Sequence, residues 1–236
     1  MNRSVVALFL LVLSVPAAFA TALAPNQAVI LVNGAPLYEE NNKVLKALDY
    51  LTLGDVVTLM NRTGSFKESG KDRDFTRIKA GSGKEGWVRS QFLAGKASIA
   101  FVKVDKATIY SEPREVKITS RYISGMTLVA VLQDGSTGSF AKVQGYDAAQ
   151  GVIFTDSTFV STDDLTSADA DVQAGILYDV AMATKDPGVK KNLLKIAGSK
   201  YSSSVFLPRI QTAQGITPTT DAPTDNSDQA PVDNGG

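Results

Sequence analysis

Gly86-Trp87-Val88-Arg89-Ser90-Gln91-Phe92-Leu93 closes a series of landmarks that this chain carries twice. Ala35-Pro36-Leu37-Tyr38 returns as Ala107-Thr108-Ile109-Tyr110, and Phe75-Thr76-Arg77-Ile78 as Phe140-Ala141-Lys142-Val143. The closing stretch itself is matched by Gly151-Val152-Ile153 and, further on, Ser157-Thr158-Phe159-Val160. The spacing between copies drifts from 72 to 65 to 67 positions, so the landmarks keep their order while the loops absorb the difference. One small module used twice is the economical reading.

Each copy consists of short apolar runs punctuated by Gly, Asn, Asp and Ser, the pattern of small all-β units. In the first, residues 27–95, the expected strands are Ala28–Val32, Val56–Met60, Phe75–Ile78 and Gly86–Arg89, with Asn33-Gly34 as a tight turn. The second, residues 97–166, offers Ile99–Val104, Thr127–Leu132, Phe140–Val143 and Val152–Phe154. Modules of about 70 residues are marginal alone. The one-residue seam at Lys96 therefore implies that the copies pack on each other.

The run Leu37-Tyr38, Val44-Leu45-Lys46-Ala47-Leu48, Leu53-Gly54-Asp55-Val56-Val57, Phe75-Thr76-Arg77-Ile78 and the closing Gly-Trp-Val-x-Ser-x-x-Leu resembles bacterial SH3 domains. The likeness covers essentially all of the first copy and is weaker in the second, where Val152 stands at the place of the Trp. It implies two tandem small SH3-like β-barrels, each five-stranded, that hold peptides of the cell wall or other proteins. It also implies a groove with Tyr38 and Tyr110 as walls, and Phe66 is grouped with Tyr38 as a ligand-binding ring. Trp87, Phe75 and Phe140 are expected to be structural. Because neighbouring residues of a strand face opposite sides, only one of Trp87 and Val88 can enter the core.

Composition restricts the chemistry. The chain has no Cys and no His among 236 residues, and 24 basic side chains balance 24 acidic ones. Disulfides, His-based acid–base catalysis and the usual zinc sites are thereby excluded. Residues 25–97 carry 11 basic and 8 acidic side chains, and residues 98–166 carry 6 and 8. Neither is the concentrated basic face that nucleic acid requires. No cofactor or metal is expected.

Three strings imitate enzyme motifs. Gly81-Ser82-Gly83-Lys84-Glu85-Gly86 fits G-x-G-x-x-G, but that fingerprint opens a helix, and here Trp87-Val88 continues into a strand. Ser139-Phe140-Ala141-Lys142 fits S-x-x-K, which needs helical spacing to bring the two functional groups together. Asp72-Arg73-Asp74 and Asp163-Asp164 lack the ligand spacing of a calcium loop. The expectation is a protein without enzymatic activity.

At the N-terminus, Met1-Asn2-Arg3, the apolar run Val5–Val15 and Ala18-Phe19-Ala20 read as a signal peptide over residues 1–20. The run is shorter than the roughly 20 residues of a spanning helix. The mature protein is expected to be soluble and exported, with a periplasmic location favoured over secretion.

Beyond Thr166 the apolar period becomes helical. Val172, Ile176, Val180 and Ala183 form one stripe, and Val189, Leu193, Ile196 and Ala197 another. Residues 167–214 are read as a helical hairpin, weakly similar to a tetratricopeptide unit. Thr166 or Ser167 would cap the first helix, Asp186-Pro187 would start the second and Gly198 would stop it. Residues 215–236, rich in Thr, Pro, Asp and Gly, read as a disordered acidic tail. The function expected is extracytoplasmic binding of a peptide, from a peptidoglycan stem or an envelope protein. The alternative is an envelope scaffold acting through the helical hairpin.

Overall fold

The computed structural model describes residues 22–217 other than 42, 43 and 156. The expected leader and the tail from 218 onward lie outside the described residues. What is described is mainly β: two antiparallel sheets and three short helices.

The first sheet contains β1 (Gln27–Ile30), β2 (Ala35–Asn41), β3 (Val44–Leu51), β4 (Val56–Glu68), β5 (Lys71–Lys79), β6 (Glu85–Arg89) and β7 (Leu93–Gly95), in the order β3-β2-β6-β5-β4-β1-β7. The second contains β8 (Ala97–Val102), β9 (Lys106–Tyr110), β10 (Ile118–Ser124), β11 (Leu128–Leu132), β12 (Phe140–Asp147), β14 (Phe159–Ser161) and β15 (Leu165–Thr166). Its order is β10-β9-β14-β12-β11-β8-β15, with β13 (Val152–Phe154) added beside β12. Exchanging each strand for its counterpart converts one order into the other.

The correspondence extends to single hydrogen bonds. Gln27 pairs with Thr58 and Ile99 with Ala130; Ile30 pairs with Leu93 and Val102 with Leu165. Before β4 the Gly54 N–H donates to the Ile30 carbonyl, and before β11 the Met126 N–H donates to that of Val102. Gly54 has φ +85° and Met126 φ +62°. The second turn is thus retained although its left-handed residue is no longer glycine.

This register corrects the sequence alignment. Trp87 pairs with Tyr38, and Tyr110 pairs with Phe159, so Phe159 rather than Val152 is the counterpart of Trp87. Ser161-Thr162-Asp163-Asp164-Leu165 then matches Arg89-Ser90-Gln91-Phe92-Leu93, and both stretches include a 3-10 turn. The offset is 72 along most of the register; β12 follows β5 by 65, and at the start of β10 Ile118 faces Tyr110 as Ala47 faces Tyr38, an offset of 71. The second copy has lost seven residues from the hairpin before β12 and gained seven between β12 and β14, where β13 forms. Sequence matching was misled because Gly151-Val152-Ile153 preserves a local pattern inside that insertion.

The barrels expected with five strands are instead open paths of seven paired strands. Each sheet nevertheless covers much of its own apolar face. Ala28, Ile30, Leu37, Val57, Ile78 and Val88 form a core within the first, without a helix against them. Val102, Ile109, Ile123, Val129, Val143 and Val160 do the same in the second.

A third core joins everything. Val29 and Leu31 from the first copy, and Ile99, Phe101 and Leu128 from the second, meet Val172, Leu194, Phe206 and Ile210 of the helical segment. The helices are α1 (Asp169–Ala183), α2 (Pro187–Lys200) and α3 (Leu207–Ala213). Asp186 caps α2, its carboxylate accepting from the Gly188 and Val189 N–H groups, with Pro187 in the first turn. Elsewhere the expectations change. Neither Thr166 nor Ser167 is the cap of α1; Ala168 holds that position, while the Thr166 hydroxyl donates to Asp171. Gly198 does not stop α2, and α3 was not foreseen. Among the described residues no helix is long and apolar enough to cross a membrane.

Candidate binding grooves

Strand alternation decides between Trp87 and Val88. Val88 enters the first core, so Trp87 stands on the opposite face of the sheet. Trp87 is still only 5% exposed, because the far end of the β4–β5 hairpin folds over it. Past an irregularity between Leu59 and Thr63, β4 continues to Glu68 and carries Phe66 onto the aromatic face. The Phe66 ring is edge-on to Trp87 at 5.0 Å and to Phe75 at 5.5 Å, and Tyr38 is edge-on to Phe75 at 5.8 Å. Such contacts put a positive ring edge against a negative face. The Arg62 guanidinium lies 5.9 Å from the Trp87 ring.

The polar end of this cluster is occupied as well. The Tyr38 hydroxyl donates to the Glu68 carboxylate at 2.8 Å, and Glu68 forms an ion pair with Arg89. Burial, and secondly the Glu68 hydrogen bond, push the Tyr38 hydroxyl up to about 12. The structure thus brings Tyr38, Phe66, Phe75 and Trp87 together in one aromatic cluster, covered by the first copy's own hairpin.

In the second copy the same floor lacks that cover. Tyr110 is edge-on to Phe140 at 5.0 Å and 74°, repeating Tyr38 and Phe75. Phe159 takes the place of Trp87 and is half-buried. The shortened connection from β11 to β12 supplies no counterpart of Phe66. A groove of about 400 Å³ remains, lined by Tyr110, Glu115, Ser139, Phe140, Thr162 and Asp163. Ser139, Thr162 and Asp163 went unassigned as binding residues in the sequence because the open groove results from a missing loop, which leaves no motif.

A smaller cavity of about 160 Å³ lies beside the inserted β13 and includes Tyr122, Asp147, Gln150 and Val152. Asp147 is buried, yet it accepts from the Ser124, Ala149 and Gln150 N–H groups and from the Gln150 amide. Burial raises its carboxyl, but these bonds outweigh that effect and hold it below the usual carboxylate range. The group fixes a turn and has no free valence for a ligand.

The enzyme-like strings have structural placements. Gly81–Gly86 spans the turn from β5 into β6, and Lys142 lies on β12 with Ser139 in the preceding turn. Among the described residues no group of three or more acidic side chains could hold a metal ion.

No family model matches this chain, and no curated protein matches it. Among solved structures, one described as "Structure of NlpC2 from Trichomonas vaginalis" aligns at 14% identity with a TM-score of 0.23. The alignment covers 71% of this chain and 62% of that one, and at such low overlap it carries no argument about fold or activity.

Proposed function

We propose that this chain is an exported, non-enzymatic binding protein built from two bacterial SH3-like modules. In this reading the second module holds an extended peptide in the Tyr110–Phe140 groove, and the first module's groove is closed by its own hairpin. The peptide belongs to a peptidoglycan stem or to a segment of an envelope protein. One observation carries the reading: two sheets of the same topology present the same aromatic pair, and only the first has a further ring from its own hairpin, Phe66, packed on it; in the second, Phe140 is buried and Tyr110 half-buried beside the groove.

The scaffold alternative is less well supported. Val172, Ala174 and Ala181 of α1 and Leu194 and Ala197 of α2 are already buried in the joint core. Co-sedimentation with purified peptidoglycan, together with titration of isolated stem peptides and envelope-protein peptides, tests the proposal. Wild type and Tyr38→Ala should bind, and Tyr110→Ala should not. Equal binding by Tyr110→Ala would move the function away from this groove.

A further inference from the structure

We infer that the open groove takes an extended segment bearing an aromatic residue and, two positions later on the same strand face, a basic side chain. This rests on the groove reading above and narrows its occupant to a protein segment, since the stem peptides of peptidoglycan carry no aromatic side chain. The first copy supplies the template, because its groove is filled by a strand. Phe66 and Glu68 are two apart on β4 and so share a face. Phe66 rests against Phe75 and Trp87, while Glu68 meets the Tyr38 hydroxyl and Arg89.

Transferred to the second copy by the observed register, the aromatic half of this receptor is retained. Tyr38, Phe75 and Trp87 become Tyr110, Phe140 and Phe159. The charged half is changed. Arg89, which receives the acidic residue, becomes Ser161, and Gln91 becomes Asp163. Asp163 and Glu115 line the groove, and neither forms a salt bridge among the described residues. A strand following the Phe66–Glu68 path would therefore meet neutral Ser161 where the first copy offers a guanidinium, with the Asp163 and Glu115 carboxylates lining the same groove. An acidic residue there would be repelled, and a lysine or arginine would be attracted.

The probe is a cyclised synthetic hairpin with the sequence of residues 62–77, prepared unchanged and with Glu68→Lys. Cyclisation is needed because an isolated hairpin is marginally stable. Binding to the full chain is read by fluorescence anisotropy. The Glu68→Lys hairpin should bind about tenfold more tightly than the unchanged one, with a preference that shrinks as salt is raised. Glu115→Gln with Asp163→Asn should abolish the preference, and Ser161→Arg should reverse it. Equal affinity for the two hairpins, a preference that survives neutralisation of both acids, or no binding of either below about 1 mM would overturn the inference. Tyr110→Ala separates this failure from failure of the groove reading. If the hairpins bind equally and Tyr110→Ala abolishes both, the groove stands and only the charge rule falls. If Tyr110→Ala leaves Glu68→Lys binding unchanged, the groove is not the seat of binding.

Discussion

Phe66 lies edge-on across Trp87 with ring centroids 5.0 Å apart, although the two residues come from opposite ends of a hairpin and its neighbouring strand. The contact explains how a tryptophan can face away from its module's core and still be buried. It also identifies the structural difference between the copies. The seven residues that extend the β4–β5 hairpin in the first are spent in the second on β13, which pairs along β12 from Gly145 to Asp147.

Trp87→Ala should destabilise the first module by about 3–5 kcal/mol, the range for truncating a buried large aromatic. Trp87→Phe should cost much less, since Phe159 occupies the equivalent position in the second copy. Urea unfolding followed by far-UV circular dichroism measures both. An unchanged midpoint for Trp87→Ala would mean that the Phe66 hairpin does not depend on the ring.

Glu68→Gln should lower the ionisation of Tyr38 from about 12 toward, but not to, its ordinary value of 10.0, because burial is the larger cause and persists. The native state holds this proton more tightly than the unfolded chain. Its stabilising contribution is therefore complete below pH 10.0 and is lost as pH rises toward about 12. Ultraviolet difference titration of tyrosinate resolves the shift, and an unmoved titration would remove Glu68 from the Tyr38 hydroxyl.

Much of the architecture was legible in the residues. Short apolar runs marked four of the first copy's seven strands, β1, β4, β5 and β6, and Asp186-Pro187 marked the start of α2 with its cap. The long hairpin was not legible, because Asn61–Gly70 is polar and includes two glycines, the composition of a loop. Its strand pairing, from Thr63 with Thr76 to Glu68 with Lys71, is held over the aromatic face by Phe66. For the candidate site, the sequence singled out Tyr38, Phe66 and Tyr110 but could not reveal that the Tyr38 hydroxyl is engaged by Glu68. That pairing spans 30 residues and depends on the hairpin's curvature.

Asp179 on α1 should make stability depend on pH. Burial, with a smaller contribution from the Asp147 charge, raises its carboxyl from 3.8 to about 7. A raised acid favours the protonated native state, so its contribution is complete below pH 3.8 and lost as pH rises through about 7. Asp49 and Asp147 are shifted downward, so their opposing effect lies below that window. Asp55 and Asp164 are also raised by burial and act in the same direction, so Asp179→Asn should lessen the decline between pH 4 and 7 in thermal unfolding without removing it. A wild-type stability that rises across this interval would contradict the assignment.

Gly175→Val should loosen the helical layer. A Cβ at Gly175 would lie 2.5–2.7 Å from the Phe101 ring, which is fully buried and edge-on to Phe206 at 6.0 Å. Overpacking of this kind costs about 1–3 kcal/mol, more than the few tenths gained by replacing a helical glycine with valine. Denaturant unfolding that shows no loss would mean that α1 is not fixed against the second sheet.

Hydrogen exchange of the full chain, with and without saturating peptidoglycan fragments or an envelope peptide that binds, tests the central claim most directly. Protection should appear at Tyr110, Ser139–Lys142 and Ser161–Asp163, where the groove of the second copy is open. It should be absent at Tyr38 and Phe66, where the first copy's hairpin already fills the same place. Protection confined to α1 and α2, or to the Tyr38–Phe66 cluster, would contradict the account.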